Sequence, residues 1–85
     1  MKPSQDVIDA QLKLAIERYY KFVYDTGFTD PRMNKAKWSK VLTKIWFTTN
    51  DPTFNYCTPI SYIQNGQGQK VLNHIEDLHV KFIIP

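Results

Sequence analysis

The sequence predicts an all-α fold, a small bundle of three to four helices with a structured proline-rich loop between the second and third helices. Three segments, two before residue 47 and one after residue 68, repeat apolar side chains every three or four residues, as a buried helical stripe does. Residues 46–68 combine prolines, glycines and aromatic side chains, a pattern typical of a folded connector. The 85 residues, 42% of them hydrophobic, indicate one helical domain over residues 1–85.

Composition narrows the class of protein. Cys57 is the only cysteine, so a framework of internal disulfides is excluded and a reducing compartment is favoured. No apolar run approaches the length that spans a bilayer, and the polar N-terminus does not resemble a signal peptide. We therefore expect a cytoplasmic protein without a membrane partner.

The net charge of +3 is unevenly distributed. Residues 31–50 carry five basic side chains and no acidic one, whereas the rest of the chain carries six basic and eight acidic side chains. This pattern predicts one basic face, which suits either an acidic protein or nucleic acid.

The first helix is expected to begin after Ser4 as its N-cap, to run to about Tyr24 and to stop at Gly27. Tyr20 and Tyr24 lie off its apolar stripe. They are either half-buried rings with hydroxyls in water or a contact surface for a partner or a second copy in a homodimer. The stripe itself contains Ile8, Leu12, Ala15, Ile16, Tyr19, Phe22 and Val23.

The second helix is expected to start with Asp30 as cap and Pro31 as first residue. Lys37, Lys40 and Lys44 lie nearly opposite its apolar arc, either as a solvated face or as a contact for an acidic protein or phosphates. The apolar arc contains Trp38, Val41, Leu42, Ile45 and Trp46.

The connector is expected to turn before Pro52, because the residue preceding a proline is pushed out of the helical region. Phe54 and Tyr56 are expected to fold back on the core. Thr58 and Pro59 are typical of the N-cap and first residue of a helix, here a short one over residues 59–63.

Asn65 and Gly66 predict a turn, and Gly68 is expected at the start of the last helix. The final residues, 80–85, are unusually apolar for a chain end. They either pack on their own domain or are received by a partner. The inward stripe of the last helix contains Val71, Leu72, Ile75 and Leu78, extended by Phe82.

Few residues indicate catalytic chemistry. His74 and His79 are five residues apart, so on one helix they point in different directions. Cys57 has no second cysteine with which to bind a metal, and it is expected to be a buried or half-buried structural thiol. We therefore predict a protein that is not an enzyme and has no metal or cofactor.

The central stretch carries a family resemblance. In chain order, its motif residues are Trp46, Phe47, Thr48, Thr49, Asp51, Pro52, Phe54, Thr58, Pro59, Ile60, Ile63, Gly68, Leu72, Ile75 and Glu76. In order and spacing, residues 46–80 resemble the C-terminal toxin-binding domain of the Xre/MbcA/ParS antitoxins. Asn50 and Asp51 depart from the usual Pro and Asn, and the 45 preceding residues leave no room for that family's helix-turn-helix domain. The chain therefore looks like a divergent, stand-alone module.

The resemblance implies a non-catalytic antitoxin that neutralises a RES-type toxin by occluding its active site with the last helix and tail. The residues expected to contact the toxin or another host enzyme are Glu76, His79, Val80, Lys81 and Phe82. The alternative is a small nucleic-acid-associated or host-regulating protein, of phage or mobile-element origin, that uses Lys37, Lys40 and Lys44.

Overall fold

A computed structural model describes residues 3–26, 32 and 34–82 and shows a bundle of three long helices. The described residues contain no strand, so the predicted all-α class is confirmed. The long helices are α1 (Gln5–Thr26), α2 (Lys35–Phe47) and α4 (Gly68–Phe82). The segment between α2 and α4 contains a 3₁₀ turn (Pro52–Phe54), the short helix α3 (Pro59–Tyr62) and a π-type turn (Ile63–Gln67).

The helices form one core in which α1 is the central element. The side chain of Gln11 lies against Gly68, and Phe22 lies near Phe82, so α1 and α4 run in the same direction. Tyr24 lies near Lys35 and Tyr19 near Phe47, so α2 runs in the opposite direction. The core residues are Ile8, Ala15, Phe47, Phe54, Tyr62, Ile63, Val71, Leu72 and Ile75.

Helix α1 largely follows its predicted stripe. Ser4 caps it, since its hydroxyl oxygen accepts a hydrogen bond from the Val7 N–H at 3.4 Å. The helix ends at Thr26, two residues beyond the expected end, and the proposed stop at Gly27 lies outside the described residues. The stripe prediction is wrong for Ile16, which is 40% exposed because it faces an open groove between α1 and α2.

Helix α2 begins later than expected. Asn34 caps it by accepting a hydrogen bond from the Lys37 N–H at 3.0 Å, and Lys35 is the first helical residue. The proposed cap at Asp30 and Pro31 lies outside the described residues.

The predicted buried face of α2 is also wrong. Val41 and Ile45 are 39% and 53% exposed, and the buried residues are Ser39, Thr43 and Phe47. Helix α2 is therefore rotated so that small polar side chains lie in the interface. The predicted arc survives only in part, with its half-buried members Trp38, Leu42 and Trp46.

This rotation leaves no buried hydroxyl of α2 without a partner. The Ser39 hydroxyl donates to the Lys35 carbonyl at 2.8 Å, and the Thr43 hydroxyl donates to the Ser39 carbonyl at 2.7 Å. Because each hydroxyl is satisfied within the helix, burying these residues carries little desolvation cost.

The connector after α2 is a tight loop closed at Asp51. The Asp51 side chain accepts from the Thr53 N–H at 2.8 Å, and the Asp51 N–H donates to the Cys57 carbonyl at 3.0 Å. Phe54 is 2% exposed, as expected, whereas Tyr56 is 72% exposed and adopts a positive φ of 63°. The expectations that Tyr56 packs on the core and that Cys57 is a buried thiol are therefore wrong, because the loop turns both residues outward.

The start of α3 and the entry to α4 follow the local sequence signals. Thr58 caps α3 by accepting from the Ser61 N–H at 3.2 Å, and Pro59 is the first helical residue. Gly66 has a φ of 87°, a left-handed conformation that favours glycine. Gly68 opens α4, as predicted. None of the described helices combines the length and apolar character needed to cross a bilayer.

Candidate protein-binding surfaces

The last two turns of α4 present the first candidate surface. We call it the α4 end and define it by the exposed residues Glu76, Val80, Lys81 and Phe82. Val80 and Phe82 are 55% and 57% exposed. Phe82 lines a neighbouring groove, whereas Val80, two residues earlier, points to another side of α4.

His79, the fifth residue predicted to contact a partner, is half-buried against α1. Its Nε2 atom lies 3.2 Å from the Arg18 carbonyl oxygen, and its ring meets Phe22 edge-on with centroids 5.4 Å apart. Because a carbonyl can only accept, Nε2 must carry the hydrogen in this contact. His79 therefore anchors the last turns of α4 on α1.

A groove of about 650 Å³, which we call the α4 groove, lies beside the α4 end. Side chains from all three long helices line it, among them Leu42, Ile45, Leu78 and Phe82. Ile45 is 53% exposed, so the groove has an accessible apolar wall on α2 as well as on α4. Phe82 belongs to both the α4 end and the α4 groove, and the two together are the first candidate surface.

A cluster of aromatic rings supports the α4 groove. The Trp46 indole is nearly parallel to the Tyr19 ring, with centroids 4.3 Å apart, and to the His74 ring at 6.2 Å. Phe54 meets Trp46 edge-on at 6.1 Å. Burial, assisted by the negative charge of Asp51, raises the pKa of Tyr19. The phenol therefore stays neutral at physiological pH, and the groove rests on close-packed aromatic rings.

The second candidate surface is the basic face of α2. Lys37, Lys40 and Lys44 are all exposed, as the sequence predicted. Lys40 and Lys44 also line a separate groove of about 540 Å³ between α1 and α2, which we call the α1–α2 groove. Ile16 and Phe47 contribute to its apolar lining. The lysines therefore flank apolar surface rather than a purely solvated face.

The structure does not bring the two histidines into one site. His74 packs edge-on against Phe54 with centroids 5.4 Å apart, whereas His79 packs against α1. Within residues 3–26, 32 and 34–82, no three His, Cys, Asp or Glu residues gather where they could hold a metal ion. That the protein is not an enzyme and has no cofactor stays a prediction.

Sequence reasoning missed Ile16 and Ile45 as surface residues because both continue an apolar stripe. No local signal separated them from the buried residues, because seven apolar residues in a helix of 22 and five in a helix of 13 are an ordinary share for a bundle. Only the packing of the helices against one another distinguishes them.

Comparison of this chain with protein-family models, with curated proteins and with solved structures finds no match.

Proposed function

We propose that this protein is a non-catalytic binding module that engages another protein through the α4 end and the α4 groove. The observation that carries the proposal is the 57% exposure of Phe82 in the lining of the α4 groove, with Val80, 55% exposed, on another side of the same helix end. Covering this surface with a partner would remove apolar area from water, the main driving force of protein association.

Two further features support binding at this surface. His79 holds the last turns of α4 on α1, so less conformational entropy is lost when a partner binds. Glu76 and Lys81 carry opposite charges at the rim of the patch, where charges orient a partner and speed its association more than they add affinity.

The resemblance of residues 46–80 to an antitoxin domain suggests the first partner to test, a RES-type toxin. In that case the α4 end would enter the toxin's active site and exclude its substrate by steric occlusion. A host enzyme with an accessible apolar pocket is the same class of partner. The mechanism requires only that Val80 and Phe82 reach the pocket.

The test compares two single substitutions, Val80→Asp and Phe82→Ser, in the full chain. Truncating α4 is less informative, because it would also remove Leu78 and His79, which pack against the rest of the fold. Affinity purification from the native host, followed by titration of the recovered protein, measures the effect. We expect each substitution to weaken binding about 10-fold or more, as at the centre of an interface.

Val7→Asp is the matched control, since Val7 is 45% exposed on the first turn of α1. It introduces the same carboxylate at a similarly exposed valine far from the α4 end. Thermal melts establish that all variants are folded. If Val80→Asp binds as tightly as Val7→Asp, the α4 end is not the contact and the proposal is wrong.

The alternative function, association with nucleic acid, is favoured by the exposure of Lys37, Lys40 and Lys44. It predicts recovery of nucleic acid at low salt and its loss near physiological salt, because binding would rest on phosphate contacts. Substituting the three lysines with glutamate would abolish it and leave binding through the α4 end intact.

A further inference from the structure

The α1–α2 groove is separate from the α4 end. Its walls come from Ile16 and Tyr20 on α1 and from Thr43 and Phe47 on α2, and Ile60 completes the lining. No residue of α4 lines it. A ligand in this groove would therefore leave the surface of the proposed function accessible.

The groove is apolar although Thr43 and Thr48 lie in its wall. The Thr43 hydroxyl donates to the Ser39 carbonyl and the Thr48 hydroxyl to the Lys44 carbonyl, each at 2.7 Å, so both hydroxyls are already used by α2. Ile16 continues the core stripe of α1 but is 40% exposed. An isoleucine and a tyrosine side by side on an open groove offer anchor sites for apolar side chains.

The charge around the groove is mainly positive. Lys40 and Lys44 line it on the α2 side, and Lys37 is exposed one turn earlier. Residues 31–50 contain no acidic side chain. Glu17 is the single acidic residue in the lining. A complementary occupant carries apolar side chains for the floor and negative charges for the α2 side.

The length of the groove suits a helix. Its lining on α2 extends from Lys40 to Thr48, which at 1.5 Å per residue is about 12 Å. Apolar anchors at positions i and i+7 of a helix are about 10.5 Å apart. A partner helix of two to three turns would thus place its anchors along the groove.

We propose that the α1–α2 groove is a docking site for an acidic amphipathic helix of another protein. The apolar face of that helix packs against Ile16, Tyr20 and Ile60, and its carboxylates lie near Lys40 and Lys44. This site is additional to the α4 end and does not depend on the proposed function.

The test is a selection from a displayed library of random helical peptides against the full chain, followed by titration of the selected peptides. We expect enrichment of peptides with apolar residues at spacings of three and four and an excess of Asp and Glu. On addition of peptide, amide shifts in a labelled sample should concentrate at Ile16, Thr43, Phe47 and Ile60. Selection of basic peptides, selection of none, or shifts centred on α4 would overturn the proposal.

Substitutions in the α1–α2 groove test which side chains of this protein bind the peptide. The double variant Lys40→Glu/Lys44→Glu should weaken binding at least 10-fold, and Ile16→Ser at least five-fold, about the effects expected for core interface positions. The control Lys70→Glu reverses an exposed charge on α4, outside both candidate surfaces, and should leave the affinity unchanged.

Single-stranded DNA is titrated in parallel. One result would overturn the proposal: the protein binds DNA but no peptide, Lys40→Glu/Lys44→Glu abolishes the DNA binding, and Ile16→Ser does not change it. The lysines would then be contacts for DNA phosphates. Loss of peptide binding through Val80→Asp would overturn the independence of the two surfaces. Ile16→Ser tests peptide binding in the α1–α2 groove, and Val80→Asp tests partner binding at the α4 end. Failure of this proposal can therefore be distinguished from failure of the proposed function.

Discussion

Replacing Gly68 with alanine should destabilise the protein through one neighbour, Gln11. Gly68 has helical angles, φ −60° and ψ −30°, so the backbone itself does not require glycine. Alanine alone would favour α4 by up to about 1 kcal/mol of helix propensity. The added Cβ, however, would meet Gln11 Oε1 in a clash, with Cδ at 2.9 Å and Cβ at 3.3 Å.

The clash should offset or outweigh the gain in propensity. Within the described part of the chain, Gln11 Oε1 is buried and has no hydrogen-bond partner, so moving it breaks no hydrogen bond there, whereas the Gln11 Cβ is held by the backbone of α1. Overpacking costs about 1–3 kcal/mol, so after a propensity gain of up to about 1 kcal/mol the net loss for Gly68→Ala is about 0–2 kcal/mol. Gln11→Ala removes the Oε1 and Cδ contacts and keeps only the one at Cβ. In that background the loss should shrink by about 1 kcal/mol.

Urea denaturation of the four proteins in this cycle, followed by far-UV circular dichroism and tryptophan fluorescence, gives each free energy of unfolding. Two results would refute the reasoning. One is a Gly68→Ala protein more stable than the parent. The other is an equal loss with and without Gln11, which would place the cost of the substitution elsewhere than in this contact.

Three further predictions concern stability. Gly66→Ala should lower the free energy of unfolding by about 1–2 kcal/mol, because the φ of Gly66, 87°, is left-handed, and Gly66→Asn should lower it less. Equal losses for the two variants in urea denaturation would contradict this. Phe54→Ala should lower the free energy of unfolding by about 3–5 kcal/mol and Tyr56→Ala by less than about 0.5 kcal/mol, since Phe54 is 2% exposed and Tyr56 is 72% exposed. Similar thermal melts for the two variants would contradict this. The raised pKa of Tyr19 stabilises the fold below pH 10.0, and this contribution is lost as pH rises through the higher folded-state pKa. Tyr19→Phe should lessen that decline in an alkaline titration, and an unchanged decline would count against it.

The connector shows how much of the fold could be predicted from adjacent residues. Thr58 and Pro59 begin a helix, Gly66 takes a left-handed turn and Gly68 starts α4, all as the sequence indicated. Each of these features depends on the allowed backbone angles of one residue or on a side chain that bonds its own backbone. Such constraints act within a few residues, so a single sequence contains them.

The orientation of α2 could not be predicted in this way. Hydrophobicity favoured burying Val41 and Ile45, yet Ser39 and Thr43 are buried instead. A periodic pattern shows that a helix has an apolar side, but the packing of three helices decides how far that side turns towards the core. Because the hydroxyls of the buried serine and threonine are hydrogen-bonded to backbone carbonyls of α2, burying these residues costs little free energy. Hydrophobicity alone does not reveal this.

The candidate surfaces likewise have features that the sequence indicates and features that depend on tertiary packing. The sequence indicated Glu76, Val80 and Lys81 as partner contacts but left open whether residues 80–85 pack on their own domain. The contact between His79 and Arg18 joins residues 61 positions apart, so no local pattern could indicate it. The two grooves likewise exist only where helices meet.

The sequence by itself determined the helical class, the caps of α1 and α3, the turn at Gly66 and the basic side of α2, because these depend on backbone geometry, composition and periodicity. Only the tertiary structure decided which apolar side chains remain in water. A bundle of three helices closes around one core, and Ile16, Ile45 and Phe82 lie at its margins. Burial at a margin depends on the distance to the neighbouring helix, a property of the packed molecule.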